Sequence, residues 1–158
     1  MKKIYPFVLL IIISMSYSFT QHIASGVGLV ILNNYAVNAD VILPDTINHK
    51  VIVTAEEFYK TFHMTKATPG TAIVPDFTSQ FVVAIILPPT EKVVSINIDK
   101  AAKDDKNLNI YYTITDTTSW TTYPHTIKAV AALDKNNSVK QVNFYNNNIK
   151  ERTFFVEH

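Results

Sequence analysis

The chain contains no cysteine among its 158 residues. That excludes disulfides, thiolate metal sites, a cysteine nucleophile and a lipid-modified cysteine at a processed amino-terminus, so stability has to come from packing. No sign of charge dominates either. Without Lys2 and Lys3, twelve basic residues stand against thirteen acidic ones, and no net field draws the protein to nucleic acid or an anionic membrane surface. A hydrophobic run long enough to cross a bilayer is missing: Ile4 to Ile13, interrupted by Pro6, falls well short of the roughly 20 residues required. A Gly-x-Ser-x-Gly nucleophile elbow is absent. His22, His49, His63, His125 and His158 never recur at the spacing of three or four that sets two ligands on one helical face. Neither a metal nor a cofactor is expected, and no catalytic residue is assigned.

What is present begins with an address. Lys2-Lys3, the short apolar run and the small residues of Ser16-Tyr17-Ser18 form a secretory signal peptide over residues 1–18, cut after Ser18. The remainder, residues 19–158, is long enough for one self-sufficient domain. An exported chain without cysteine suits a bacterial periplasmic or secreted protein with no stable membrane span once the leader is removed.

Residues Gly26 to Leu32, ended by Asn33-Asn34, read either as a first strand or as a lead-in. Val51-Ile52-Val53-Thr54 reads as a short strand, and Thr54 caps a helix over residues 55–62 with Glu57 completing a capping box. Phe58 and Phe62, four apart, share its buried face. Phe81 to Leu87 is an uninterrupted apolar run, short and β-branched, predicting a central strand buried on both faces and stopped by Pro88-Pro89. Two alternating segments follow, Val94-Ile96-Ile98 and Leu108-Ile110-Tyr112-Ile114, which predict an antiparallel hairpin turning at Lys103 to Lys106 with one wet face. Thr126 to Leu133 and Val139 to Tyr145 predict a second hairpin through Asp134 to Ser138, and Thr153 to Val156 a last short strand. The expected class is α+β, mostly β: an antiparallel twisted sheet or small β-sandwich with one short helix. No internal repeat is found.

Chemistry-bearing groups are sparse. Asp105, Asn107, Asn109 and Asp116 imitate positions of a calcium loop, but Ile110 stands where the sharp turn needs glycine. Asp104 and Asp105 are adjacent in a turn, which sends both carboxylates to water rather than to opposite sides of a scissile bond. Weight falls instead on the connections, because binding modules recognise partners with loops held on a rigid scaffold. Three connections qualify: Pro88-Pro89-Thr90-Glu91-Lys92, Thr117 to Thr122 around Trp120, and Asn146-Asn147-Asn148. Trp120 beside Tyr123 either anchors a partner or folds back onto the core. The residues assigned to partner binding are Pro89, Thr90, Glu91, Lys92, Trp120 and Tyr123.

Glu56-Glu57-Phe58, Asp76-Phe77, Pro89-Thr90 and Tyr123-Pro124, in that order, resemble the carboxy-terminal domain of the protease complex subunit PrcB family over about two-thirds of the mature chain. The family continues its Pro-Thr turn with Gly-Gly-Tyr, whereas this chain has Glu91-Lys92-Val93, so the contacts of that loop do not transfer. The resemblance implies an exported accessory or interaction domain linked with proteases, of a kind found among Bacteroidota envelope proteins. Asp45-Thr46-Ile47 and Asp116-Thr117-Thr118 are similar to that phylum's O-glycosylation sites. The leading expectation is a non-enzymatic binding or accessory domain with a protein partner. A structural or adhesive envelope component and a small hydrolase with a composite site are the alternatives.

Overall fold

A computed structural model describes residues 25–65, 73–136 and 138–156. The leader over residues 1–18, its cleavage point and the Thr68-Pro69-Gly70 loop lie outside the described residues. In chain order the elements are β1 (Ser25–Gly26), β2 (Leu29–Ile31), β3 (Tyr35–Val37), β4 (Asn48–Ile52), α1 (Ala55–Thr61), β5 (Phe62–Met64), β6 (Gln80–Asp104), β7 (Asn107–Asp134), β8 (Gln141–Asn146) and β9 (Ile149–Phe155). All strands but β3 and β5, which pair with each other, belong to one seven-stranded sheet. The mostly-β class with one short helix is as the sequence predicts.

The sheet is built on one long hairpin that doubles over on itself. β6 and β7 pair antiparallel from Gln80↔Asp134 down to Asp104↔Asn107. Its proximal half, Phe81–Leu87 against Ile127–Leu133, and its distal half, Ile96–Asp104 against Asn107–Ile114, contribute to the same core. Phe81, Val83 and Ile85 are buried in one cluster with Ala101, Leu108, Ile110, Tyr112, Val142 and Phe144. The alternate residues Val82, Ala84 and Ile86 face a second cluster with Tyr35, Ile52, Phe58 and Phe62. Phe81–Leu87 is therefore covered on both sides, which explains its unbroken apolar sequence.

α1 forms where the chain predicts it. Thr54 accepts the Glu57 N–H at 3.2 Å, Glu56 and Glu57 occupy the first turn, and Phe58 and Phe62 are fully buried. The distal half is wet on its outer face, where Ser95, Asn97 and Asp99 are exposed.

Two expectations are corrected. Pro88-Pro89 does not end a strand: β6 runs through it, and a register shift between Leu87 and Thr90 leaves the prolines out of the ladder, so their missing N–H groups cost no sheet bond. Nor do Thr126–Leu133 and Val139–Tyr145 form a hairpin. β8 pairs parallel with Asn107–Tyr112, making the sheet mixed rather than purely antiparallel. The reason is occupancy: Phe81–Leu87 takes one edge of the proximal stretch of β7, and β2 takes the other through Leu29↔Leu133 and Ile31↔Ala131. No edge is left there for β8. The chain crosses between layers instead, from Lys135, whose N–H bonds Ser79, to Lys140, whose N–H bonds Lys106.

The Asn147-Asn148 turn joining β8 to β9 has φ of 49° and 66°, the left-handed pair that a two-residue hairpin demands and that asparagine tolerates. Phe58 ties the outer layer together, with ring centroids 4.9 Å from Tyr35, 5.3 Å from Phe62 and 5.5 Å from Phe77. Phe58→Ala is expected to cost about 3–5 kcal/mol and Thr54→Ala about 1 kcal/mol, measured by urea denaturation. A Phe58→Ala loss no larger than that of the cap variant would contradict this packing.

Candidate functional site

Between its two halves the hairpin makes an elbow, and the strand on the outside of a bend needs more residues than the strand inside. Ten residues of β7, Asp116–His125, stand against five of β6, Thr90–Val94, with register shifts on both sides of the Lys92↔Trp120 pair. Residues left over at such bulges are re-aimed away from the ladder. Trp120 is 66 % exposed and Tyr123 78 % exposed, the conspicuous apolar side chains of this ribbon. Of the two expectations for Trp120, the structure shows the exposed one.

The ribbon is pinned by side chains bonding to backbone. Thr117 Oγ1 donates to the Val93 carbonyl at 3.0 Å, Thr121 Oγ1 lies 3.1 Å from the Glu91 carbonyl and 2.9 Å from that of Tyr123, and Thr90 Oγ1 accepts the Lys92 N–H at 3.1 Å. Lys92 Nζ sits 5.8 Å from the Trp120 ring centroid and 3.8 Å from Asp116 Oδ2. Exposed pairs of this kind contribute at most about 1 kcal/mol, so they orient the indole more than they stabilise the fold.

Pro89, Thr90, Glu91, Lys92, Trp120 and Tyr123 are thus brought together on one ribbon, though as paired strand rather than as the separate loops expected. Asn146-Asn147-Asn148 is apart from it, in the β8–β9 turn, where the Asn147 N–H bonds the Tyr112 carbonyl. Thr121 lies within the Thr117 to Thr122 connection expected from the sequence, and His125 stands opposite Thr90. Thr121 Oγ1 lies 3.3 Å from His125 Nδ1, but its nearer contacts are the two carbonyls, so its proton is engaged by main chain rather than directed at the imidazole. The calcium-like residues do not converge: Asp105 is at the hairpin tip, Asn109 accepts from the Asn143 amide within the sheet, and Asp116 is at the elbow.

A second site had no local signature. Strands β4 and β9, at two ends of the sheet, flank a cleft of about 260 Å³ lined by Ile42, Pro44, Asp45, Asn48, His49, Lys50 and Arg152. His49 lies on β4, opposite Ile85, and reaches the far layer: its Nε2 is 2.8 Å from the Tyr112 hydroxyl and its ring centroid 4.9 Å from that of Phe144. Burial, then the positive charge of Arg152, pushes the imidazole pKa down to about 4, against a smaller opposing pull from Asp45. Burial likewise raises the pKa of Tyr112, with the negative charge of Glu151 adding to it. A neutral imidazole and a protonated phenol suit a structural hydrogen bond between layers.

No family model, curated protein or solved structure matches the chain. Among the described residues, no helix is long and apolar enough to cross a membrane.

Because His49 keeps its ordinary pKa near 6.5 in the unfolded chain and about 4 in the folded one, the unfolded state binds more protons between those values, and stability falls as pH drops through that window. The urea midpoint of the parent protein is therefore expected to fall more steeply from pH 6.5 to 4.5 than that of His49→Gln. Parallel slopes would remove His49 from the acid response.

Proposed function

We propose that this chain is an exported, non-enzymatic binding or accessory domain that presents its elbow ribbon to a protein partner. The observation carrying the reading is that Trp120, paired with Lys92 between two register shifts, and Tyr123 are large, apolar and 66 % and 78 % exposed on the elbow ribbon. Tryptophan and tyrosine supply much of the energy at protein interfaces, each offering a large rigid surface with a polar tip. Thr90, Glu91, Lys92 and Pro89 form a polar and conformationally restricted rim around them, and the backbone bonds of Thr117 and Thr121 hold the surface in shape before binding.

The binding reading is also supported by what the hydroxyls and imidazoles do. His49 is committed to Tyr112, and Thr121 to main-chain oxygens. The leader supports an envelope or extracellular location. The ordered resemblance to the PrcB carboxy-terminal domain supports a partner within a protease or envelope complex. In that resemblance Glu91-Lys92-Val93 replaces Gly-Gly-Tyr, and the aromatic group of this elbow comes from the opposing strand as Trp120.

Mature protein immobilised in parallel with the Trp120→Ala/Tyr123→Ala double variant, and exposed to envelope extract of the source cell, tests the assignment. A partner retained by the parent protein and reduced at least tenfold on the variant is expected, with the variant's urea midpoint unchanged because both side chains lie outside the core. Equal recovery on both would displace the ribbon as the binding surface. Turnover of a panel substrate, abolished by a Ser or His substitution, would overturn the non-enzymatic reading.

A further inference from the structure

The cleft between β4 and β9 is built more like a small-molecule site than like an accidental gap. One wall, the Pro44-Asp45 segment, is locked by Asn48, a buried amide only 6 % exposed. Its Nδ2 donates to the Asp45 carbonyl at 2.6 Å and its Oδ1 accepts the Asp45 N–H at 3.2 Å. The facing wall carries Arg152 on β9. His49 lies between them, held by Tyr112, so the cleft is bounded by groups fixed before any ligand arrives.

Hydrogen-bond logic then sets what the cleft offers. The Tyr112 hydroxyl, on a residue 1 % exposed, has His49 Nε2 as its partner among the described residues. Its proton is directed at that nitrogen, which assigns the imidazole proton to Nδ1. Nδ1 has no acceptor among the described residues, and neither Arg152 nor Lys50 has an ion-pair partner there. Among its lining residues the opening thus sets two cations against the single carboxylate of Asp45.

Charge and size choose the ligand class. Lys50 and Arg152 face one lining carboxylate, Asp45, while the charge of Glu151 is felt at the Tyr112 hydroxyl, so the lining favours a small anion of low charge. A volume of about 260 Å³ lies below the roughly 300–1,000 Å³ of pockets for drug-sized ligands, so the occupant is short. Ile42, 85 % exposed beside Pro44, gives an apolar rest at the rim. We infer that the β4–β9 cleft binds a small aliphatic monocarboxylate group, its oxygens on the Arg152 guanidinium and His49 Nδ1–H and its tail against Ile42 and Pro44. Planar guanidinium and carboxylate match in a two-pronged geometry that a lysine does not reproduce. The site is independent of the elbow.

Amide chemical shifts of the full mature protein, followed at pH 7 and constant ionic strength, test this with four probes: butyrate, N-acetylvaline, N-acetylvalinamide and inorganic phosphate. Saturable shifts at Ile42, His49 and Arg152 are expected with butyrate or N-acetylvaline, in the millimolar range. A free acid is the source if butyrate binds more tightly, and a peptide carboxy-terminus if N-acetylvaline does. Arg152→Gln should weaken binding at least tenfold, while Trp120→Ala leaves it unchanged, so that failure here and failure of the elbow reading are separable. The inference is overturned if the acids leave these amides unmoved, if phosphate or the amide binds as tightly as the acids, or if Arg152→Gln, with its fold confirmed by an unchanged urea midpoint, binds as the parent does.

Discussion

One hairpin has to cover both sides of the main core, and the rest of the structure follows from that constraint. Phe81, Val83 and Ile85 on the proximal half and Leu108, Ile110 and Tyr112 on the distal half are all buried in one cluster. Neither half could hide its apolar face from water alone, since a two-stranded ribbon is marginal by itself. Doubling over solves the burial problem and creates a bend, and the bend must be made of residues that do not need the ladder. Pro88-Pro89 on the inner strand and the surplus between Asp116 and His125 on the outer strand meet that need.

The same constraint shapes the edges. With β6 and β7 shared between layers, β2 takes the remaining edge of β7 in the proximal half and β8 the remaining edge in the distal half. β4 and β9 are left flanking an opening, and beside it the His49–Tyr112 bond ties β4 to the distal stretch of β7. Two surface features that look unrelated follow from this layout: an aromatic ribbon where the β6–β7 register shifts at the elbow, and a cleft where the edge strands β4 and β9 face each other without pairing. Both lie where backbone pairing no longer dictates the side chains, which leaves room for recognition chemistry on a fold whose stability is secured elsewhere.

Local physics was legible in the sequence. Unbroken apolar character marked Phe81–Leu87 as doubly covered, alternation marked the two strands of the distal hairpin, and Thr54 with Glu57 marked the start of α1. What could not be read was set by competition between distant segments. Val139–Tyr145 has the pattern of a hairpin partner for Thr126–Leu133, and only the prior claim of β2 on that edge sends it elsewhere. Pro88-Pro89 breaks a ladder locally, yet a register shift lets the strand continue. Trp120 was undecided between core and solvent because its exposure depends on how β6 and β7 meet at the bend, where it pairs with Lys92, a property of two strands taken together. His49, 63 positions from Tyr112, gave no clue at any spacing that local periodicity can detect.

The doubled hairpin is tested most directly by residue-resolved hydrogen exchange on residues 19–158. Ladder amides of the proximal and distal halves should be slowest and should open with one common free energy, because they share a core. Amides of Thr90–Val94 and Asp116–His125 should exchange far faster. Halves that open with clearly different free energies, or an elbow as protected as the strands it joins, would contradict the account.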